Sequence, residues 1–387
     1  MHKPARVLFI STQPFFEWRG SSIRVKFNVL ALESMGYEVD LLAPPIGQDA
    51  PEIRSRVIRT WSIPGVKSLS IGPSLPKLIF DFFLLLKGIQ LAISRRYDVV
   101  HGTEEGGSIA WLISRIIRAR CVYEKHSDPA SYKKKGLRNI IMSVYRQLEA
   151  FTARHSDAVI ATGPGLADQA KRYAPNTPTY CISDIPSSLV ESDSMQVGLI
   201  RDSLMQKDDS ILVTYVGSFA EYQGIDLLFK TIPLVLDAAP SVRFVVIGGS
   251  TTEIESYSKQ LGSYAKRVVF AGRIDPDELP NWLSASDIVL APRRAGINTP
   301  LKILDYFKAG TAIVATDTDA NRLILDRDCA KLCEYTPTHF ADEICGLVVD
   351  PVERGRLANN GRERYETTFN FRVFQNQLET VYQSFHV

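Results

Sequence analysis

At 387 residues the chain exceeds what one hydrophobic core usually organises, so two domains are expected. Its composition, 45% hydrophobic and 23% charged, is that of an ordinary soluble globular protein, and a net charge of +2 excludes a strongly charged partner surface overall. Nucleic acid is therefore not an expected partner.

Residues 5–11 (ARVLFIS) have the pattern of a buried strand and run on from the N-terminus with no signal-peptide apolar region of normal length. A polar loop over 12–22, a helix over 23–35 ending at Gly36 and a strand over 39–43 follow. The apolar run 78–93 is interrupted by Asp81 and Lys87 and is too short to span a bilayer. Strands are predicted over 97–102, 121–123 and 156–161, with helices over 107–118 and 137–154. Segment 184–198 (DIPSSLVESDSMQVG) is rich in Ser, Asp and Pro and reads as a linker. The opening order then returns: a strand over 211–216, a loop over 217–224, a helix over 225–238 and a strand over 242–247. Three β-branched runs (268–272, 287–291, 311–315) alternate with two helix-like segments, as parallel βαβ units do. A last helix over 371–385 lies far from its neighbours' strands and is expected to cross back to the first half.

This repetition predicts an α/β fold of two Rossmann-like domains, 1–190 and 197–367, facing across a cleft, with 371–387 packing back on the first. Five scattered cysteines, including Cys329 and Cys333, lack the partners and spacing of a zinc site and are expected as reduced, buried thiols. The expected location is cytoplasmic.

The helix after residue 298 carries the most chemistry. Thr299 is expected at its N-cap, Pro300 in its first turn and Gly310 just past its end. Lys302 and Asp305, three residues apart, share one face. A helix N-terminus with a cation in its first turn suits a phosphate, and a carboxylate one turn on suits a diol. Together they describe a nucleotide-sugar site. Charge-assisted bonds of this kind are worth about 1.5–3 kcal/mol each; a plain i,i+3 surface ion pair, worth about 0.2–0.5 kcal/mol, is the bland alternative.

Gly217 and Gly224 bracket a loop before a helix, which lets backbone N–H groups approach a phosphate, although a tight turn explains them as well. The spacing is not G-x-G-x-x-G, so a nicotinamide cofactor is disfavoured. Arg273, Arg293 and Arg294 follow strands; such arginines are often only solvated. His101 and His126 end or follow first-half strands, where a histidine bonds a substrate hydroxyl or, more ordinarily, the backbone. The loop FFEWRGSSIRV places Arg19, Gly20 and Arg24 at a helix start suited to an anionic or hydroxyl-rich ligand. Segment 78–96, apolar with a basic end, and Lys133–Lys135 before a helix with Arg138 and Arg146 allow an interfacial docking surface; a buried helix and an ordinary cationic loop account for them equally.

Taken together, YVGSFAEYQGIDLLF (215–229), VVFAGRIDPDELPNWLSASDIVLAP (268–292) and TPLKILDYFKAGTAIVATD (299–317), with DVVHG (98–102) and EKH (124–126), resemble the family 4 glycosyltransferases, retaining enzymes of the GT-B fold. The resemblance covers essentially the whole chain. It implies a donor-binding second domain and an acceptor-binding first domain, probed here by Arg19, Gly20 and Arg24. It implies that Asp305 binds the ribose and that Gly217, Ser218, Gln223, Gly224, Arg273, Asn298, Thr299 and Leu301 surround the donor. Lys302 would stabilise the leaving phosphate and His126 would contact the transferred sugar. No bound metal or other cofactor is implied; Asp317 and Asp319 have the spacing of a metal pair but read as a solvated turn. Ile297 stands where the family has a first glutamate, and Ser218 and Gln223 where it has an arginine and a lysine.

Three functions fit these residues. One is a retaining transferase building a polysaccharide or glycolipid at, or near, the inner membrane surface. Another is a sugar-nucleotide epimerase or hydrolase, which would need general bases that the sequence scarcely offers. The third is a non-catalytic partner protein with a degenerate donor site, favoured by Ile297, Ser218 and Gln223 and opposed by Lys302, Asp305 and His126.

Overall fold

The computed structural model describes residues 4–69, 74–127, 137–206, 211–295 and 299–385. It divides into two compact units, Met1–Asp184 with Phe371–Val387, and Ile185–Asn370.

The first unit runs β1 (Arg6–Ile10), α1 (Gly20–Ser34), β2 (Glu38–Ala43), β3 (Arg56–Arg59), α2 (Leu75–Ser94), β4 (Val99–Thr103), α3 (Gly106–Ile117), β5 (Arg120–Lys125), α4 (Leu137–His155), β6 (Ala158–Ala161), α5 (Pro164–Tyr173) and β7 (Thr179–Cys181). Its seven-stranded sheet has the order β3-β2-β1-β4-β5-β6-β7, and every neighbouring pair is parallel. Val7, Leu8, Phe9 and Ile10 are all buried, because helices cover both faces of a parallel sheet. Leu8 and Ile10 pack with Leu84 of α2 and Ile113 of α3 on one face.

The second unit continues with α6 (Ser194–Leu204), β8 (Ile211–Val216), a 3₁₀ turn (Glu221–Gln223), α7 (Ile225–Ala238), β9 (Val242–Ile247), α8 (Thr251–Leu261), β10 (Val268–Gly272), α9 (Leu279–Ser284), β11 (Ile288–Ala291), α10 (Leu301–Ala309), β12 (Ala312–Thr316), α11 (Asp319–Arg322), β13 (Ala330–Cys333), α12 (Pro337–Val349) and α13 (Pro351–Thr367). Its six-stranded sheet, order β10-β9-β8-β11-β12-β13, is also parallel throughout. α7 and α12 bury Phe229, Ile232, Phe340 and Ile344 against one face. α9 and α10 bury Leu283, Ile303 and Phe307 against the other.

The final helix, α14 (Phe371–Gln383), belongs to the first unit. Its buried residues Phe374, Leu378, Val381 and Tyr382 form one helical face, and Phe371 meets Phe27 of α1 edge-on at 6.3 Å.

Several elements differ from the sequence reading. The segment read as linker runs into α6, whose start is capped by Asp193 accepting from the amides of Met195 and Gln196. Short, polar-edged β3 and β7 and the polar helix α5 carry too little apolar periodicity to be read locally. Thr299 is not an N-cap: Pro300 holds that position with φ −75° and ψ 104°, and a proline side chain has nothing with which to cap. Gly310 ends α10 in the left-handed region at φ 63°, as the sequence indicated. Cys121, Cys329 and Cys333 are buried, but Cys181 on the edge strand β7 is exposed.

Candidate functional site

Each sheet reverses its direction of growth once, between β1 and β4 in the first unit and between β8 and β11 in the second. The crevice beyond the carboxyl ends of the strands at that reversal is where open α/β sheets take ligands.

In the second unit the loops after β8 and β11 meet there. Gly217 has φ 149° and Gly224 φ 75°. A Cβ on Gly224 would collide with the Pro292 carbonyl, so only glycine lets the two loops touch. A Cβ on Gly217 would stand 2.6 Å from Lys302 Nζ. That ammonium lies 4.5 Å from the centre of the Tyr215 ring, is sealed from solvent and has no hydrogen-bond partner among the described residues. Burial pushes its pKa down to about 7, with the nearby Arg293 adding to the shift. Tyr215 is fixed by donating its hydroxyl to the Ser218 carbonyl at 2.9 Å. Gln223 Oε1, from the same loop, is a second buried atom with no partner.

Arg293 is the residue that sequence reasoning undervalued. It follows β11 directly, packs its guanidinium 5.8 Å from the Tyr222 ring and is half-buried, which lowers its pKa. The only local signal was its position at a strand end. Arg294 is exposed and pairs with Glu221 at 2.9 Å.

Asp305 has a different neighbour from the one its spacing suggested. Its Oδ1 accepts from the backbone N–H of Ser187 at 2.6 Å and from the Ser187 hydroxyl at 2.9 Å. Burial nonetheless holds its pKa up at about 6. Lys308, one turn on, donates to the carbonyls of Ser188 and Val190. This face of α10 therefore grips the segment that leads into the unit. Ser218 is exposed, Thr299 and Leu301 are partly buried at the start of α10, and Arg273 is exposed at the end of edge strand β10. That strand is two positions from β8, roughly 10 Å at ordinary strand spacing. Asn298 and Ile297 lie outside the described residues. Asp317 pairs with Arg322 in an exposed turn.

In the first unit the same crevice overlies a buried polar cluster centred on Glu124 of β5. Its Oε1 accepts from Arg24 Nε at 2.7 Å and its Oε2 from Asn28 Nδ2 at 2.8 Å, both from α1. His101 Nε2 faces Oε2 at 3.2 Å and His126 Nε2 faces Oε1 at 3.6 Å. Burial disfavours the Glu124 carboxylate, but Arg24, His126 and His101 more than offset it and hold its pKa well below the usual range. The amide of His126 donates to Glu104 Oε1 at 2.9 Å. Arg24 is thus an interior residue, and Arg19 pairs with Glu17 at 2.8 Å while donating to the Leu69 carbonyl. Gly20 is the first residue of α1. Lys133–Lys135 lie outside the described residues.

Two parallel α/β units, the second with a glycine-lined crevice that holds Lys302 and Arg293, make up the fold. Residues 19–180 match the glycosyl transferase 4-like domain and residues 210–350 match glycosyl transferases group 1. The chain belongs to the family 4 glycosyltransferases of GT-B fold. It is 23% identical over 360 residues to a phosphatidyl-myo-inositol mannosyltransferase of Mycolicibacterium smegmatis, covering 91% of this chain and 87% of that one. The match to the protein of that name from Mycobacterium tuberculosis is 24% identical over 226 residues and spans 58% of its length. Sucrose-phosphate synthase from Thermosynechococcus elongatus superposes with a TM-score of 0.74 at 20% identity over 98% of both chains. Anabaena HepE in complex with UDP gives 0.74 at 16% identity over 98% of this chain and 100% of that one. Among the described residues no helix is long and apolar enough to cross a membrane.

Proposed function

We propose that the protein moves a sugar from a nucleoside-diphosphate sugar to an acceptor hydroxyl with retention of anomeric configuration, in polysaccharide or glycolipid synthesis, without a resident metal or other cofactor. The observation that carries this reading is Lys302: a buried ammonium with no hydrogen-bond partner among the described residues, set beside Gly217. An uncompensated buried cation costs several kcal/mol, about what an arriving anion would recover. Arg293 supplies a second cation with its pKa lowered by burial, in place of those missing from the loop at Ser218 and Gln223. Lys302, Arg293 and the amides at the start of α10 would take up the charge that develops on the departing phosphate, and His126 would bond the transferred sugar. HepE, a structural neighbour, was solved with UDP, which favours a nucleoside diphosphate here.

The acceptor side of this reading includes contact with a lipid surface. On α2 the side chains of Leu75, Leu78, Phe82, Leu86 and Ile93 are exposed along one stripe, and Ile116 of α3 and Val144 and Leu148 of α4 are exposed as well. Among the described residues of 74–157 the fully exposed ionised side chains are arginines: Arg96, Arg115, Arg118, Arg120, Arg146 and Arg154. Apolar side chains among exposed cations, of which Arg120 is paired with Asp157, suit an anionic membrane. Cosedimentation with anionic but not zwitterionic vesicles, lost in Phe82→Ser/Leu86→Ser, is the expected outcome.

A non-catalytic scaffold is the competing reading, favoured by the capture of Asp305 by Ser187. A thermal-shift screen against UDP, GDP, ADP, CMP and their sugar conjugates separates the two. A ligand at about 100 times its Kd should stabilise the protein by about 2.7 kcal/mol, and Lys302→Ala should abolish that gain. A folded sample that responds to none of them is a scaffold.

A further inference from the structure

The Glu124 cluster is completed by a helix from the other end of the chain. Tyr382 of α14 places its hydroxyl 2.8 Å from His101 Nδ1, 281 residues away in sequence. Phe374 of the same helix lies 4.6 Å under the Arg24 guanidinium. Tyr382, His101 and Glu124 are fully buried.

We propose that Tyr382 is a positioning residue for His126, acting through His101 and Glu124. The argument runs on where protons sit. Burial drives the Tyr382 phenol far above its ordinary pKa, so it keeps a proton to donate. Burial lowers the pKa of His101, despite Glu124, so the ring is neutral and carries one N–H. Glu124 Oε2 approaches His101 Nε2 to 3.2 Å without completing a hydrogen bond, and its charge favours the N–H on that atom, since the opposite tautomer would turn a lone pair toward the carboxylate. Nδ1 is then left to accept from the Tyr382 hydroxyl. Tyr382 therefore reinforces the tautomer that leaves Glu124 an intact anion, with Asn28 and Arg24 donating to its two oxygens.

His126 sits at the open end of this chain, its side chain 10% exposed. The charged groups facing it are Glu124 from β5, Glu104 after β4, Arg24 from α1 and Asp184 at the end of the unit's first segment. Burial disfavours its imidazolium, and Glu124 and Glu104 more than offset that. Its Nε2 is turned to Glu124, which leaves Nδ1 for a ligand. A second histidine behind a carboxylate plays the part that outer partners play for ligating histidines, fixing orientation and basicity.

The catalytic consequence rests on the proposed role of His126; the proton chain itself does not. Histidine-ring ¹⁵N spectra of the full-length protein test the chain without any turnover assay. The wild type should show His101 as a single Nε2–H tautomer throughout the neutral range. Tyr382→Phe, which removes one oxygen from a buried ring, should mix the His101 tautomers and move the His126 midpoint by about 0.5 pH unit or more, a shift of roughly threefold in its protonation equilibrium. His101→Gln in the Tyr382→Phe background offers Glu124 an amide donor that needs no tyrosine, and should restore the His126 midpoint. Nucleotide-induced stabilisation should not change in either variant. An unmoved His126 midpoint when the His101 tautomer is lost, or no restoration by the glutamine, overturns the proposal. If the spectra behave as expected and no sugar is transferred, the relay stands and the transferase reading falls.

Discussion

The two units place charge in their crevices in opposite ways. In the first, Glu124 is fully buried and surrounded by Arg24, Asn28, His101 and His126, so its charge is answered from within the protein. In the second, Lys302 is buried beside the face of Tyr215 and a like-charged Arg293, with no hydrogen-bond partner among the described residues. A compensated buried charge stiffens a scaffold, whereas an uncompensated one waits for a ligand of opposite sign. The first unit holds its buried charge among partners; the second, on the proposed reading, leaves room for an anion.

The largest expected effect breaks the first half of that contrast. Glu124→Ala leaves Arg24 buried without its carboxylate and should destabilise the protein by about 3–5 kcal/mol in urea denaturation. A loss no larger than a surface substitution would mean that the cluster is not compensated as described.

Lys302→Met tests the other half and should act in the opposite sense. Nucleotide affinity and turnover should fall at least tenfold, about 1.4 kcal/mol, while the empty protein becomes more stable. Unchanged turnover would remove Lys302 from the mechanism.

pH sharpens the same point. The Lys302 pKa in the empty protein is about 7 and a bound diphosphate would raise it. Below pH 7 the ammonium is present before and after binding. Above it, binding must recruit a proton, so affinity should fall by up to about tenfold per pH unit until the pKa of the complex is reached. Titration calorimetry in buffers of different ionisation enthalpy measures the proton uptake directly. For the empty protein the sign is separate: a lysine whose folded pKa lies below its unfolded value makes stability rise with pH above about 7, a slope that Lys302→Met should flatten.

The smallest effect concerns Asp305. Ser187→Ala removes one of two hydrogen bonds to its carboxylate and should tighten nucleoside binding about two- to threefold, consistent with the loss of one modest hydrogen bond. Weaker binding would assign Asp305 to the linker alone.

The second unit was more legible in the sequence than the first. Strands β8, β9 and β10 and helix α7 fall where their apolar runs and flanking glycines put them, because each is a single stretch of buried β-branched or helical periodicity. Lys302 was legible as a cation in a helix's first turn because a helix start is a local feature. The partial burial of Arg293 was not legible, since a strand-end arginine in water and one tucked against Tyr222 have the same neighbours in sequence. Arg24 looked like a loop-mouth cation and is an interior one, because its partners Glu124 and Asp184 lie 100 and 160 residues away. Helix α6 was masked by the Ser- and Asp-rich composition that supplies its cap.

The sequence by itself therefore determined the two parallel α/β halves and the family, and with them the crevice that holds Lys302. These depend on patterns of burial and turn chemistry repeated along short stretches, which neighbouring residues express together. Only the tertiary structure decided which charges are answered and which are left open: Ser187 on Asp305, α14 closing over His101 and Arg24, and no hydrogen-bond partner for Lys302 among the described residues. The free energy of a buried charge depends on what surrounds it in space, and residues 100 or more apart in the chain supply part of that surrounding here: Arg24 for Glu124, Tyr382 for His101 and Ser187 for Asp305.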